Sequence, residues 1–183
     1  MDTHKLPCSE SVEQLARRVF ADLHRTIIFH ESGSLAGDVE SVHDMRVTVR
    51  RLRVALSNFA VCVAKEDRKR LRASLENLAD ALGGVRDMDV MIAALKTSPM
   101  PRPDQGKSAV SALIGRLRAR RRLRLRTLRN YLGGEEYADF KRESPSDWGK
   151  TEIAPGDIMN ETYRDHKIHK FHGLPEEEHG QAA

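Results

Sequence analysis

Cysteine is nearly absent: Cys8 and Cys62 are the only two in 183 residues. Cys8 lies in a polar N-terminal segment and Cys62 near an expected helix end. Neither a disulfide framework nor a thiolate metal site is indicated, and a reducing compartment is the default. Aromatic residues make up 5% of the chain, and alternating β-branched runs are scarce, which argues against a sheet protein. No stretch approaches the roughly 18 consecutive apolar residues of a membrane span, and the opening Met-Asp-Thr-His-Lys-Leu-Pro-Cys-Ser-Glu has no apolar signal core. The expectation is a cytoplasmic protein with no membrane contact. No nucleophile–base pair or carboxylate cluster stands out, so the chain is not expected to be an enzyme, and neither a cofactor nor a metal is called for.

Charge, by contrast, is plentiful: Lys and Arg number 31 and Asp and Glu 27, together 32% of the chain. The formal net charge of +4 hides an asymmetry. Residues 144–183 hold four basic and eight acidic side chains, which leaves a net charge of +8 on residues 1–143. A positive field confined to one part of the chain points to a polyanionic partner there.

The field is most ordered in Val42–Leu56, which reads V-H-D-M-R-V-T-V-R-R-L-R-V-A-L. At about 100° per residue, with His43 at zero, Arg46, Arg50 and Arg53 fall near 300°, 340° and 280°, a stripe roughly 80° wide. Val42, Met45, Val49, Leu52, Leu56 and Phe59 fill the adjoining arc, and Val47 and Val54 lie on the other flank. A cationic stripe with apolar residues on both sides suits the lining of a groove or pore better than a solvated helix face.

Helical spacing recurs along the chain. Ser9 or Ser11 can cap a first helix whose stripe is Val12, Leu15, Val19, Leu23 and Ile27. Glu31–Gly37 reads as a loop. The second helix is expected from about Val39 to Val63. A third follows to about Lys96, with Asp67 as N-cap and Leu71, Leu75, Leu78, Leu82 and Val85 as its core stripe. Arg68, Arg72 and Arg86 lie beside that stripe. Gly83 and Gly84 interrupt it at a cost of about 1 kcal/mol each relative to alanine, so a close approach by another helix or a ligand is expected there. Thr97–Gly106 is a proline-rich linker expected to be non-helical. The fourth helix runs from about Lys107 to Leu132, with Gly133-Gly134 closing it and a short helix, Glu135–Arg142, beyond. In the fourth helix Arg121 and Arg124 stand in phase with Val110, Leu113, Ile114, Leu117, Leu128, Tyr131 and Leu132. A buried unpaired guanidinium is too costly to keep, so these two arginines meet acids or an anion, or the helix end projects. The overall expectation is an all-α, antiparallel bundle of about four long helices with a basic inner groove over residues 1–143. A less regular tail, 144–183, follows, including a loop-like Ser144–Gly156. His24 and His30 read as packing or surface histidines. His166, His169 and His172 recur at three-residue spacing, which scatters them around a helix and leaves a polar tail as the simpler reading over a metal site.

The motif H-D-M-R-V-T-V-R-R-L-R, followed by L-G-G-V-R-D-M-D-V, resembles the CHAD family, the conserved histidine α-helical domain. The resemblance spans roughly residues 10–140. It implies two similar helical bundles around a basic pore, inorganic polyphosphate as ligand, and association with polyphosphate granules. His43 matches the motif histidine, Arg46, Arg50, Arg51 and Arg53 its basic positions, and Arg86 and Asp87 the R-D pair. A complete domain of this kind carries a second His-x-x-Arg helix. Here the expectation is one bundle plus the lead-in to the next: either the chain is a fragment of a longer domain, or a second copy, as a homodimer, completes the pore. Polyphosphate has no base edges to read, and a row of arginines at three- and four-residue spacing sets cations about 5–6 Å apart to meet it. The sequence-level site is His43, Arg46, Arg50, Arg51, Arg53, Arg68, Arg72, Arg86, Arg121 and Arg124. Two alternatives draw on the same residues: a nucleic-acid-binding helical protein, for which stacking aromatics are few, and an enzyme using His43 as phosphate acceptor or metal ligand.

Overall fold

The computed structural model describes residues 11–97, 103–143 and 145–148. Among them are six α-helices and two 3-10 turns: α1 (Val12–Phe29), α2 (Glu31–Ala36), α3 (Val39–Asn58), a turn at Ala60–Cys62, α4 (Lys65–Thr97), α5 (Pro103–Leu132), α6 (Glu135–Arg142) and a turn at Pro145–Trp148. The bundle is all-α.

Ser11 starts α1 with a capping box. Its hydroxyl accepts from the Gln14 N–H at 3.2 Å, and Gln14 Oε1 accepts from the Ser11 N–H at 2.9 Å, so two N-terminal donors are satisfied at once. The buried face of α1 is Ala16, Phe20, His24 and Ile27, shifted from the expected stripe: Ile27 is buried as expected, but Val12 is 56% exposed, and Leu15, Val19 and Leu23 are only half-buried. The rotation follows from partners far along the chain. Phe20 and His24 pack on Trp148, with ring centroids 6.0 and 5.5 Å apart, and His24 lies 4.8 Å from Phe140. A hydrogen bond at 2.9 Å joins His24 Nε2 to the Phe140 carbonyl.

The expected loop Glu31–Gly37 is instead the helix α2, ended by Gly37 in the left-handed region at φ 83°, a conformation that favours glycine. Composition misleads there because Gly33 serves packing. A Cβ at Gly33 would meet the Ser41 side chain, so the small residue lets α2 close on α3. Asp38 then caps α3, its Oδ2 accepting from the Ser41 N–H at 2.8 Å, which holds the Asp38 carboxyl below its ordinary range.

Other boundaries differ from expectation. α3 ends at Asn58, and the 3-10 turn takes up Ala60–Cys62. Asp67 lies in the first turn of α4 and is not its cap. α5 begins at Pro103, inside the segment expected to be non-helical. Proline is tolerated at a first helical position because the N–H it lacks would have no intrahelical partner.

The core is where the sequence pattern is strongest. Val42, Met45, Val49, Leu52 and Leu56 of α3 meet Leu71, Leu75, Leu78, Leu82 and Val85 of α4, with Leu125, Leu128 and Leu132 of α5; all are buried. Each fully buried Leu contributes about 1.5–3 kcal/mol, so Leu78→Ala, in the middle of the stripe, would open a cavity costing about 2–5 kcal/mol. α4 packs against both α3 and α5. Both pairings are antiparallel: Arg72 reaches back to Ser57 and Gly83 to Arg46, while Ser74 meets Tyr131 and Asp89 meets Arg121. Trp148 is 1% exposed, and its Nε1 donates to Glu143 at 3.1 Å. Among the described residues no helix is long and apolar enough to cross a membrane.

Candidate functional site

The α3 stripe lies along the seam with α4. Arg50 and Arg53 are exposed and Arg46 half-buried. Between α3 and α4 a cavity of about 610 Å³ is lined by Arg50, Arg53, Val54, Ser57, Arg72 and Glu76. Arg72 Nη2 donates to Ser57 Oγ at 3.0 Å, which aims its guanidinium across the seam toward the α3 row. Arg68 closes the same end, donating to the Ala60 carbonyl at 2.7 Å. At the other end the register that sets Arg46 against Gly83 places His43 level with Arg86; both are half-buried.

The glycine pair has a direct explanation. A Cβ on Gly83 would strike Arg46 Nη1, and a Cβ on Gly84 would come within 3.1 Å of Arg124 Cδ. The missing side chains form a saddle on α4 that Arg46 occupies from α3 and Arg124 from α5. Arginines of α3 and α5 are thereby brought over α4. Among the described residues Arg46, Arg50, Arg51, Arg53, Arg86 and Arg124 have neither an ion-pair nor a hydrogen-bond partner. Their donors are left for solvent or an anion.

Two candidates sit elsewhere. Arg121 is bound to Asp89, Nε to Oδ1 at 2.5 Å and Nη2 to Oδ2 at 3.1 Å, and its Nη2 also donates to the Gly37 carbonyl at 2.9 Å. The side chains are only 18% and 7% exposed, so the second acid of the R-D-M-D segment satisfies the arginine that interrupts the apolar phase of α5. Arg51 turns toward α1 and lines, with Arg50, a second cavity of about 640 Å³ whose walls include Val19, Leu23, Val47, Val54 and Phe59. The structure therefore brings together Arg46, Arg50, Arg53, Arg68, Arg72 and Arg124, sets His43 and Arg86 at one end, and separates Arg51 and Arg121.

Sequence reasoning missed Ser57 and Glu76. Extending the helical wheel of α3 places Ser57 at about 320°, inside the arginine stripe. Glu76 follows Arg72 by one turn of α4. Among the described residues no group of His, Cys, Asp and Glu could hold a metal ion; His166, His169 and His172 lie outside the described residues.

Along this seam Arg46, Arg50 and Arg53 have no carboxylate partner, and guanidinium groups offer charge and several donors without requiring a shaped pocket, a chemistry compatible with an extended anion. The family model for the CHAD domain matches residues 18–150, and the chain belongs to that family. No curated protein matches the chain.

Proposed function

We propose that this protein binds inorganic polyphosphate through the α3–α4 face, without turning it over, and that this binding associates it with polyphosphate granules in the cytoplasm. Arg46, Arg50, Arg53 and Arg72 supply the main contacts, His43 and Arg86 extend the face at one end, Arg68 anchors the other, and Arg124 reaches it across the glycine saddle. The observation that carries this reading is the group of Arg46, Arg50 and Arg53, without carboxylate partners, along the α3–α4 seam. Arginines one turn apart on α3 lie about 5–6 Å from each other, a spacing that lets successive phosphates of one extended chain be held together. Membership of the CHAD family supports the ligand class. Glu76 in the lining disfavours anions at one edge and gives the face polarity. Few aromatics flank the row, which favours a ligand without bases over single-stranded nucleic acid. A second copy of the chain facing this row would close it into a pore, and sedimentation with and without polyphosphate reads that assembly.

The test is charge reversal. The Arg46→Glu/Arg50→Glu variant should lose the polyphosphate held at the α3–α4 face, read as a fall in binding in a salt-controlled titration, while its helical circular dichroism is unchanged. Undiminished binding by the folded variant would overturn the reading, as would RNA that polyphosphate cannot displace at equal charge concentration. Phosphate release that disappears in His43→Ala would replace a binding role with a catalytic one.

A further inference from the structure

The α3–α4 face leaves most of the basic residues of α5 unused. Residues 107–132 contain eight arginines and no Asp or Glu. Among the described residues only one of those arginines, Arg121, meets a carboxylate. α4 by contrast mixes Glu76, Asp80 and Asp87 among its exposed basic residues. With Leu125 at zero and about 100° per residue, Arg118, Arg129, Arg122 and Arg126 fall near 20°, 40°, 60° and 100°, whereas Arg124, Arg120 and Arg116 fall near 260°, 220° and 180°. α5 thus carries two arginine rows on opposite flanks. The row containing Arg124 faces the glycine saddle. The other flank faces away from it, beside α2: Arg129 Nε donates to the Leu35 carbonyl at 2.8 Å, and the Gly37 position abuts Leu125.

We propose that Arg118, Arg122, Arg126 and Arg129 form a second, separate track for a phosphate chain, so that one protein holds two polyphosphate strands and bridges them. The inference rests on the polyphosphate reading of the α3–α4 face. Four exposed arginines run for about 16 Å along one helix flank. Like charges at three- and four-residue spacing weaken a helix, and residues 107–132 supply no Asp or Glu to offset them, so a counter-anion along the row would relieve that repulsion. A shallow cavity of about 530 Å³ opens along it, lined by Ala119, Arg122, Leu123, Leu125, Arg126 and Arg129. No aromatic residue occurs between 107 and 130, so bases have no stacking platform, and the track suits an anion that presents phosphates alone.

The experiment counts short polyphosphate chains bound per protein chain by titration calorimetry. It then measures energy transfer between donor- and acceptor-labelled long polyphosphate chains mixed with the protein. Sedimentation fixes the number of protein chains per particle. Wild type is expected to bind two short chains per protein chain and to bring the labelled long chains together. Arg122→Glu/Arg126→Glu should bind one short chain and lose the energy transfer, and Arg46→Glu/Arg50→Glu should retain the α5 chain alone. Full bridging and unchanged stoichiometry in Arg122→Glu/Arg126→Glu would overturn the second track, as would a wild-type stoichiometry of one. Displacement from the α5 row by duplex RNA but not by polyphosphate would also overturn it. Absence of any binding by wild type would instead refute the reading of the α3–α4 face.

Discussion

Gly83→Ala should make the protein more stable and a poorer binder. Gly83 lies in the interior of α4, where alanine is favoured by about 1 kcal/mol. The added methyl would meet only Arg46, at Nη1 and, 3.5 Å away, at Cζ. Both atoms belong to the far end of a flexible side chain, so relief comes from swinging the guanidinium aside and not from moving backbone. The net gain is therefore up to about 1 kcal/mol, a rise in Tm of roughly 2–4 °C for a domain of this size. The displaced guanidinium can no longer lie over the saddle. Affinity for polyphosphate should fall by up to about tenfold, equivalent to about 1.4 kcal/mol. The assays are a thermal melt followed at 222 nm and fluorescence anisotropy with labelled polyphosphate at fixed salt. The diagnostic step is a cycle with Arg46→Ala: once Arg46 is truncated, Gly83→Ala should cost no further affinity. Destabilisation by more than about 1 kcal/mol, or additive losses of affinity in the double variant, would refute the reasoning that the glycine exists to seat Arg46.

Three further outcomes follow from other contacts. Asp89→Ala leaves the largely buried Arg121 guanidinium without its carboxylate; chemical denaturation should show a loss of about 3 kcal/mol, while the salt dependence of polyphosphate binding stays that of wild type. Trp148→Ala removes a buried ring that packs on Phe20, His24 and Phe140 and should cost about 3–5 kcal/mol in the same assay. Burial foremost, with Glu136 beside Tyr131 and Glu31 beside Tyr137, holds both phenols above their ordinary value. The unfolded phenols ionise near pH 10 while the folded ones stay neutral, so stability is full below about pH 10 and falls as pH rises past it. Tm measured from pH 8 to 11 should show that decline, and Tyr137→Phe, which removes a hydroxyl without a partner among the described residues, should reduce it; a flat profile for wild type would contradict the assignment.

The parts of the fold most legible in the sequence are those with many repeats of one pattern. Leu71, Leu75, Leu78, Leu82 and Val85 are buried as their spacing requires, and the α3 row appears with its phase intact. α1 was less legible because its buried face is selected by Trp148 and Phe140, more than a hundred residues away, which no local period encodes. α2 was hidden because glycine and serine, normally loop residues, are there to let one helix close on another. In the site, the local cost of Gly83-Gly84 was visible, but its cause was not: Arg46 and Arg124 approach from different helices, and only the antiparallel register brings them to adjacent residues. The same register pairs Arg121 with Asp89, 32 positions apart, so the alternatives of acid, anion or projecting helix could be separated only in three dimensions.

The central claim is that Arg46, Arg50 and Arg53, which have no carboxylate partner, hold polyphosphate with the other cations of the α3–α4 face by direct charge contact. It is tested most directly by measuring the binding constant across a range of salt concentrations. Neutralisation of about six phosphates predicts a slope of log K against log salt near −4, by analogy with single-stranded nucleic acid, and each arginine of the row replaced by glutamine should make the slope shallower by about 0.7. A slope near zero, or one that Arg50→Gln and Arg53→Gln leave unchanged, would contradict it.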